Sequence, residues 1–189
     1  MYDWTLQWAE SPQALTALFL IAVAESSVFP IPPDVLLIAI VAARPSVWLK
    51  AAALCTAGSV VGGLIGYAIG AALMATVGQA IVDFYGAQGH WDRVVDLYNG
   101  RWGVWFLAGA AFTPIPYKVA TIAAGATTMP LLPFVVVSAL GRAGRFVLVS
   151  AVLRLFGAQV RRQLEAHFDL AAMLFFVLLV GGFLVLRAF

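Results

Sequence analysis

The sequence is short of charge, of cysteine and of histidine, and each shortage closes off a class of protein. Asp, Glu, Lys and Arg make up 11% of its 189 residues, against roughly 25% in ordinary soluble domains. That is too little charge to cover a water-facing surface, so the body of the chain is not a soluble globular domain. The single cysteine, Cys55, has no partner for a disulfide. The two histidines, His90 and His167, stand far apart and lack a metal-ligand spacing, so no metal and no cofactor is expected. A net charge of +2 is too small to argue for a nucleic-acid partner. The opening "MYDWTLQWAESPQ" is acidic and aromatic with no basic start, which argues against a cleaved signal peptide.

What is present is apolar. Hydrophobic residues make up 63% of the chain, and the mean hydropathy is +0.97. The apolar stretches recur along nearly the whole length and do not alternate as barrel strands would. The expected class is an all-α integral membrane protein of one domain, residues 1–189.

Two stretches interrupt this pattern. "ESSVFPIPPDVLL" (Glu25–Leu37) and "AAFTPIPYKVATIAAG" (Ala110–Gly125) both carry a PIP core inside apolar sequence. The apolar pieces around Pro30, Pro32 and Pro33 are each about half the ~20 residues that a spanning helix needs. The same holds around Pro114 and Pro116. Consecutive prolines remove backbone donors and oppose helix continuation, which favours a re-entrant hairpin over one kinked crossing helix. The hairpins are expected at 11–46 and 103–130, and spanning helices at 51–77, 131–154 and 169–187. Residues 79–101 mix charge with aromatic residues and suit an interfacial amphipathic segment.

The halves correspond. "FPIP" (Phe29–Pro32) pairs with "FTPIP" (Phe112–Pro116), and "SVVGGLIGY" (Ser59–Tyr67) with "SALGRAGRF" (Ser138–Phe146). Two proline-broken hairpins, each followed by a spanning helix, form an inverted repeat if the helix between them crosses the bilayer. Interrupted segments at corresponding positions then point to a transport site. Gly58, Gly62, Gly66 and Gly70 recur every fourth residue and make one smooth helix face, expected to be a packing surface. In this topology Arg44, Lys50, Arg154, Arg161 and Arg162 share one face, which should be cytoplasmic.

Five ionisable groups lie near the breaks: Glu25, Asp34, Lys118, Arg142 and Arg145. Charge at membrane depth costs about 2.5–3.5 kcal/mol per group on insertion scales, so such a cluster is by default a functional hypothesis. Lys118, Arg142 and Arg145 are the candidate phosphate ligands, the arginines offering planar forks and the lysine a point charge. Arg142 and Arg145 are three apart and share a helix face. Glu25 and Asp34 are the candidate proton- or ion-coupling acids, and proton binding that weakens a Glu–Arg pair would couple a gradient to release of a bound anion. The plain alternative is that acids and bases pair as structural glue.

At these residues the chain resembles the DedA family, also called SNARE-associated Golgi or VTT-domain proteins. The segments that carry the resemblance are "ESSVFPIPPDVLL", "GGLIGYAIG" and "FTPIPYKVATIAAG", in that order, covering about Glu25 to Phe146. The short length and "GRAGRF" look closest to the small YqaA-like branch. The resemblance implies two facing re-entrant hairpins in a bacterial inner membrane protein that moves lipids between leaflets, with Glu25 and Asp34 matching the family's functional acids. On the basic side the sequence departs: Ala111 and Tyr117 stand where many relatives carry arginine, and Gly63 where an aspartate is frequent. Lys118 is one position late, and Arg142 and Arg145 are the candidates to compensate.

The function expected is therefore a flippase or scramblase for a phosphate-bearing lipid, phospholipid or polyprenyl phosphate, with membrane lipids and protons as partners. Assembly as a homo-oligomer stays open. A lipid-phosphate enzyme is the less favoured alternative, because no HExxH, nucleophile elbow or aspartate cluster is present. A structural or assembly protein and an ion channel complete the alternatives.

Overall fold

The computed structural model of the chain describes residue 11 and residues 13–27, 32–113 and 116–157. Within that range lie α1 (Ala14–Ser27), α2 (Pro33–Ala43), α3 (Trp48–Leu73), α4 (Gln79–Phe84), α5 (Gln88–Asn99), α6 (Arg101–Phe112) and α7 (Tyr117–Ala126). A last helix, α8, covers Leu131–Gly157. The described residues contain no strand. Pro30 and Pro114, Arg161 and Arg162, and the expected helix 169–187 lie outside the described residues.

Proline sets the helix ends. α2 begins on Pro33, and a proline at the first helical position gives up only an N–H that has no acceptor there. Pro32 before it is extended, at φ −66° and ψ 123°. Asp34 in the first turn places negative charge at the positive end of the helix dipole. α2 stops at Ala43 because Arg44 precedes Pro45, whose ring keeps the preceding residue out of the helical region. The same rule ends α6: Thr113, before Pro114, is extended at φ −89° and ψ 175°.

The four helices beside the breaks are short. α1, α2, α6 and α7 have 14, 11, 12 and 10 residues. At 1.5 Å per residue they reach about 15–21 Å, short of a bilayer core of ~30 Å. Among the described residues two helical runs are long and apolar enough to cross a membrane: Pro45–Phe84, of 40 residues, and α8, of 27.

The first of these runs is not divided as its sequence suggests. It opens with a 3-10 turn at Pro45–Val47, and after α3 it passes through a π turn at Met74–Gly78 into α4. Residues 79–101 therefore fall into two pieces. The helical path ends beside Gly86, at φ +60°, a left-handed conformation that glycine adopts without steric cost and that terminates helices. α5 then turns Tyr98 inward and leaves Asp92, Arg93 and Asp96 exposed. Burial pushes the Tyr98 phenol up to about 12.

The two long runs pack antiparallel. Arg154 Nη1 of α8 donates to the Pro45 carbonyl at 2.9 Å, and Arg142 Nε donates to Ser59 Oγ at 2.8 Å. Farther on, the rings of Phe134 and Tyr67 lie 5.1 Å apart. As one run advances, the other retreats. Their crossing divides the core in two. One cluster joins α1, α2 and the start of α3 to Phe146 and Leu153 of α8. The other joins α6 and α7 to Tyr98 and to Phe134 at the start of α8.

The glycine face of α3 serves both sides. A Cβ on Gly58 or Gly62 would strike the backbone carbonyls of Phe19 and Val23 in α1, and one on Gly70 would strike the Ile122 carbonyl in α7. On Gly66 it would meet the Thr121 hydroxyl at 2.5 Å. Backbones approach this closely only where side chains are absent. Outward, Val61, Ile65, Leu140 and Leu148 are exposed. In each long run only 22% of the most apolar window is buried among the described residues, as suits helices that cross a membrane.

Candidate functional site

The charged residues meet where the two breaks face α8. Glu25 is near the C-terminus of α1 and Asp34 in the first turn of α2, so the first break separates them only locally. Arg142 and Arg145 are one turn apart near the middle of α8. Each arginine takes one acid. Arg142 Nη2 lies 3.4 Å from Glu25 Oε2, and Arg145 Nη2 lies 3.0 Å from Asp34 Oδ2.

Arg145 also ties in the second break. Its Nη1 donates to the Thr113 carbonyl at 2.8 Å. That carbonyl ends α6, where Pro114, lacking an N–H, cannot continue the helix. One guanidinium therefore joins the start of α2 to the end of α6.

Arg142 is the more deeply set, at 3% exposure. Its guanidinium lies between two aromatic rings, 5.0 Å from the Tyr117 centroid and 4.5 Å from that of Phe146. A desolvated cation gains from the negative faces of such rings. The hydrogen bonds around it run one way. Arg142 Nε donates to Ser59 Oγ, which lies 2.7 Å from Ser26 Oγ, and Ser26 Oγ donates to Glu25 Oε2 at 3.1 Å. A hydroxyl has one proton. Because Ser26 spends its own on Glu25, Ser59 must be the donor between the two serines. The chain thus carries polarity from guanidinium to carboxylate.

Chemically, the centre is a pair of guanidinium forks held by carboxylates, which is also the donor geometry that grips a phosphate. Four of the five expected ionisable residues meet here: Glu25, Asp34, Arg142 and Arg145. Lys118 occupies the first turn of α7, half-buried beside Tyr117, and both ion pairs above are made by the arginines instead. Sequence reasoning passed over Ser26, Ser59 and Tyr117 as ligands. Ser59 opens the stretch that ends at Tyr67, as Ser138 opens the matching one four residues before Arg142, but that correspondence marks a position and not a hydrogen bond, and nothing marks Ser26 or Tyr117.

Apolar surface outside and a charged, arginine-centred junction within define an integral membrane protein. Comparison with known proteins supplies the family. The VTT domain matches residues 31–155. An uncharacterized protein of Haemophilus influenzae is 35% identical over 187 residues, covering 99% of this chain and 96% of that one. An uncharacterized protein of Histophilus somni is 33% identical over 169 residues, 87% of each chain. No solved structure matches. The chain belongs to the VTT-domain, or DedA, family.

Proposed function

We propose that the protein moves phosphate-bearing lipids, phospholipid or polyprenyl phosphate, between the leaflets of a bacterial inner membrane. On this reading it is a flippase or scramblase and makes or breaks no covalent bond. The two breaks are re-entrant hairpins entering from opposite faces as an inverted repeat. Their short helices support this, since none of α1, α2, α6 and α7 reaches across a bilayer core unaided.

The observation that carries the proposal is the double arginine–carboxylate junction shared by both breaks. A headgroup phosphate needs the same guanidinium N–H groups that Glu25 and Asp34 now occupy. Acid and phosphate therefore compete. Protonating an acid frees its arginine and favours anion binding, and losing the proton lets the carboxylate reclaim the fork and eject the anion. This reverses the order expected from sequence, where proton binding drives release: on the present reading binding goes with proton uptake and release with proton loss.

Proteoliposomes carrying a headgroup-labelled fluorescent phospholipid test it by surface quenching. The wild-type protein is expected to exchange label between leaflets, and Arg145→Ala to slow that exchange at least about tenfold, the loss of one charged hydrogen bond being worth roughly 1.5–3 kcal/mol. Arg93→Ala, at an exposed position of α5, should leave it unchanged. No exchange above protein-free vesicles overturns the proposal, and chemical turnover of the lipid without exchange favours the enzyme. Glu25→Gln protein that keeps its full response to a pH gradient removes the proton coupling alone.

A further inference from the structure

Two buried hydroxyls at the junction, of Tyr117 and Ser138, complete no well-formed hydrogen bond among the described residues. Tyr117 is 1% exposed and Ser138 is fully buried. The two hydroxyls face each other as each other's near partners, in a contact that falls short of a well-formed hydrogen bond. A serine in a helix can turn its hydroxyl back to its own backbone. A tyrosine hydroxyl, at the far end of its ring, has only Ser138 to turn to among the described residues, and two facing hydroxyls that share one hydrogen bond still leave a donor over.

Packing does not account for that hydroxyl. Phe146 also stacks on Arg142, at 4.5 Å, with no oxygen on its ring. A phenylalanine at 117 would keep the stack and avoid the cost of a poorly satisfied buried hydroxyl. The opposing wall is kept bare as well: a Cβ on Gly63 would stand 2.6 Å from Tyr117 Oη. Arg142 spends Nε on Ser59 and Nη2 on Glu25, which leaves Nη1 as the nitrogen of the fork that donates to no described protein atom.

We infer that the Tyr117 and Ser138 hydroxyls, with Arg142, form a buried subsite for one phosphate oxygen of the transported headgroup. The inference rests on the proposed function and deepens it. Two hydroxyl donors beside a cation suit an oxyanion: one phosphate oxygen takes the Nη1 side of the fork, and a second competes with Glu25 for Nη2. Tyr117 is then a specificity-determining residue that favours a phosphate over an uncharged headgroup.

Ligand-dependent thermal unfolding of the purified full chain in detergent tests this, with dodecyl phosphate, inorganic phosphate and dodecanol as probes. Wild-type protein is expected to be stabilised by dodecyl phosphate and much less by the other two. Tyr117→Phe should melt at or above the wild-type temperature without ligand, its poorly satisfied hydroxyl gone, yet need about tenfold more dodecyl phosphate for the same shift. Ser138→Ala should weaken binding in the same direction. Equal dodecyl phosphate response in Tyr117→Phe and wild type sinks the subsite and spares the transport reading. A lower melting point without ligand, with unchanged response, marks the hydroxyl as the seat of a structural water and also sinks it. Wild-type protein that responds to no phosphate probe overturns both readings, and an equal response to inorganic phosphate overturns the lipid as its source.

Discussion

Arg142 carries a charge to the middle of a membrane helix and spends almost all of it on neighbours: a carboxylate, a serine and two rings. Breaking a buried pair from one side strands the other charge. Arg142→Ala is expected to destabilise the protein by about 3–5 kcal/mol, because Glu25 would be left without its cation. The double variant Glu25→Ala/Arg142→Ala should recover part of that loss, since no bare charge remains. Thermal unfolding of the two variants side by side checks this, and a double variant less stable than Arg142→Ala contradicts it. Arg142→Lys is no conservative exchange here, for one ammonium cannot lie flat between Tyr117 and Phe146 while reaching both Ser59 and Glu25. The identity of these charged residues was legible in the sequence, because acids, arginines and lysine stand out against apolar surroundings. Which acid meets which arginine was not. Glu25 and Arg142 are 117 positions apart, and their meeting depends on the rotation and register of α8 against α1.

α3 shows what spacing alone can and cannot tell. Glycines four apart announce a smooth face, and the structure sets that face against two partners, α1 through Gly58 and Gly62 and α7 through Gly66 and Gly70. Gly70→Ala would press a methyl group on the Ile122 carbonyl and force α3 and α7 apart, at a cost of about 1–3 kcal/mol. Gly89→Ala, where a Cβ meets nothing within 4 Å, should be neutral or gain up to about 1 kcal/mol from its helix propensity. Melting temperatures that fall equally in both variants would show the stripe to be no packing face. Proline and the residue before it wrote the helix ends at Ala43 and Phe112 into the sequence. The continuation of α3 through a π turn into α4 was harder to read, because no breaker stands between Gly78 and Phe84. Gly86 was the signal, and only its left-handed backbone makes it one.

Across the molecule, two long antiparallel helical runs hold two half-length pairs so that both proline breaks open on the same arginines. The lipid-facing surface, the two interruptions and the charge beside them could all be read from composition. The hydroxyl chain through Ser26 and Ser59 could not, since a buried serine looks like any small residue until its neighbours are known. The central claim is that carboxylate and phosphate compete for the same guanidinium. Dodecyl phosphate binding to purified Asp34→Asn protein tests that competition most directly, because the substitution leaves α2 its polar first turn and takes away only the negative charge that faces Arg145. If the acid is a competitor, the variant binds the phosphate about tenfold more tightly than wild type. Affinity that is unchanged or weaker would mean that Asp34 and Arg145 hold the helices together and nothing more.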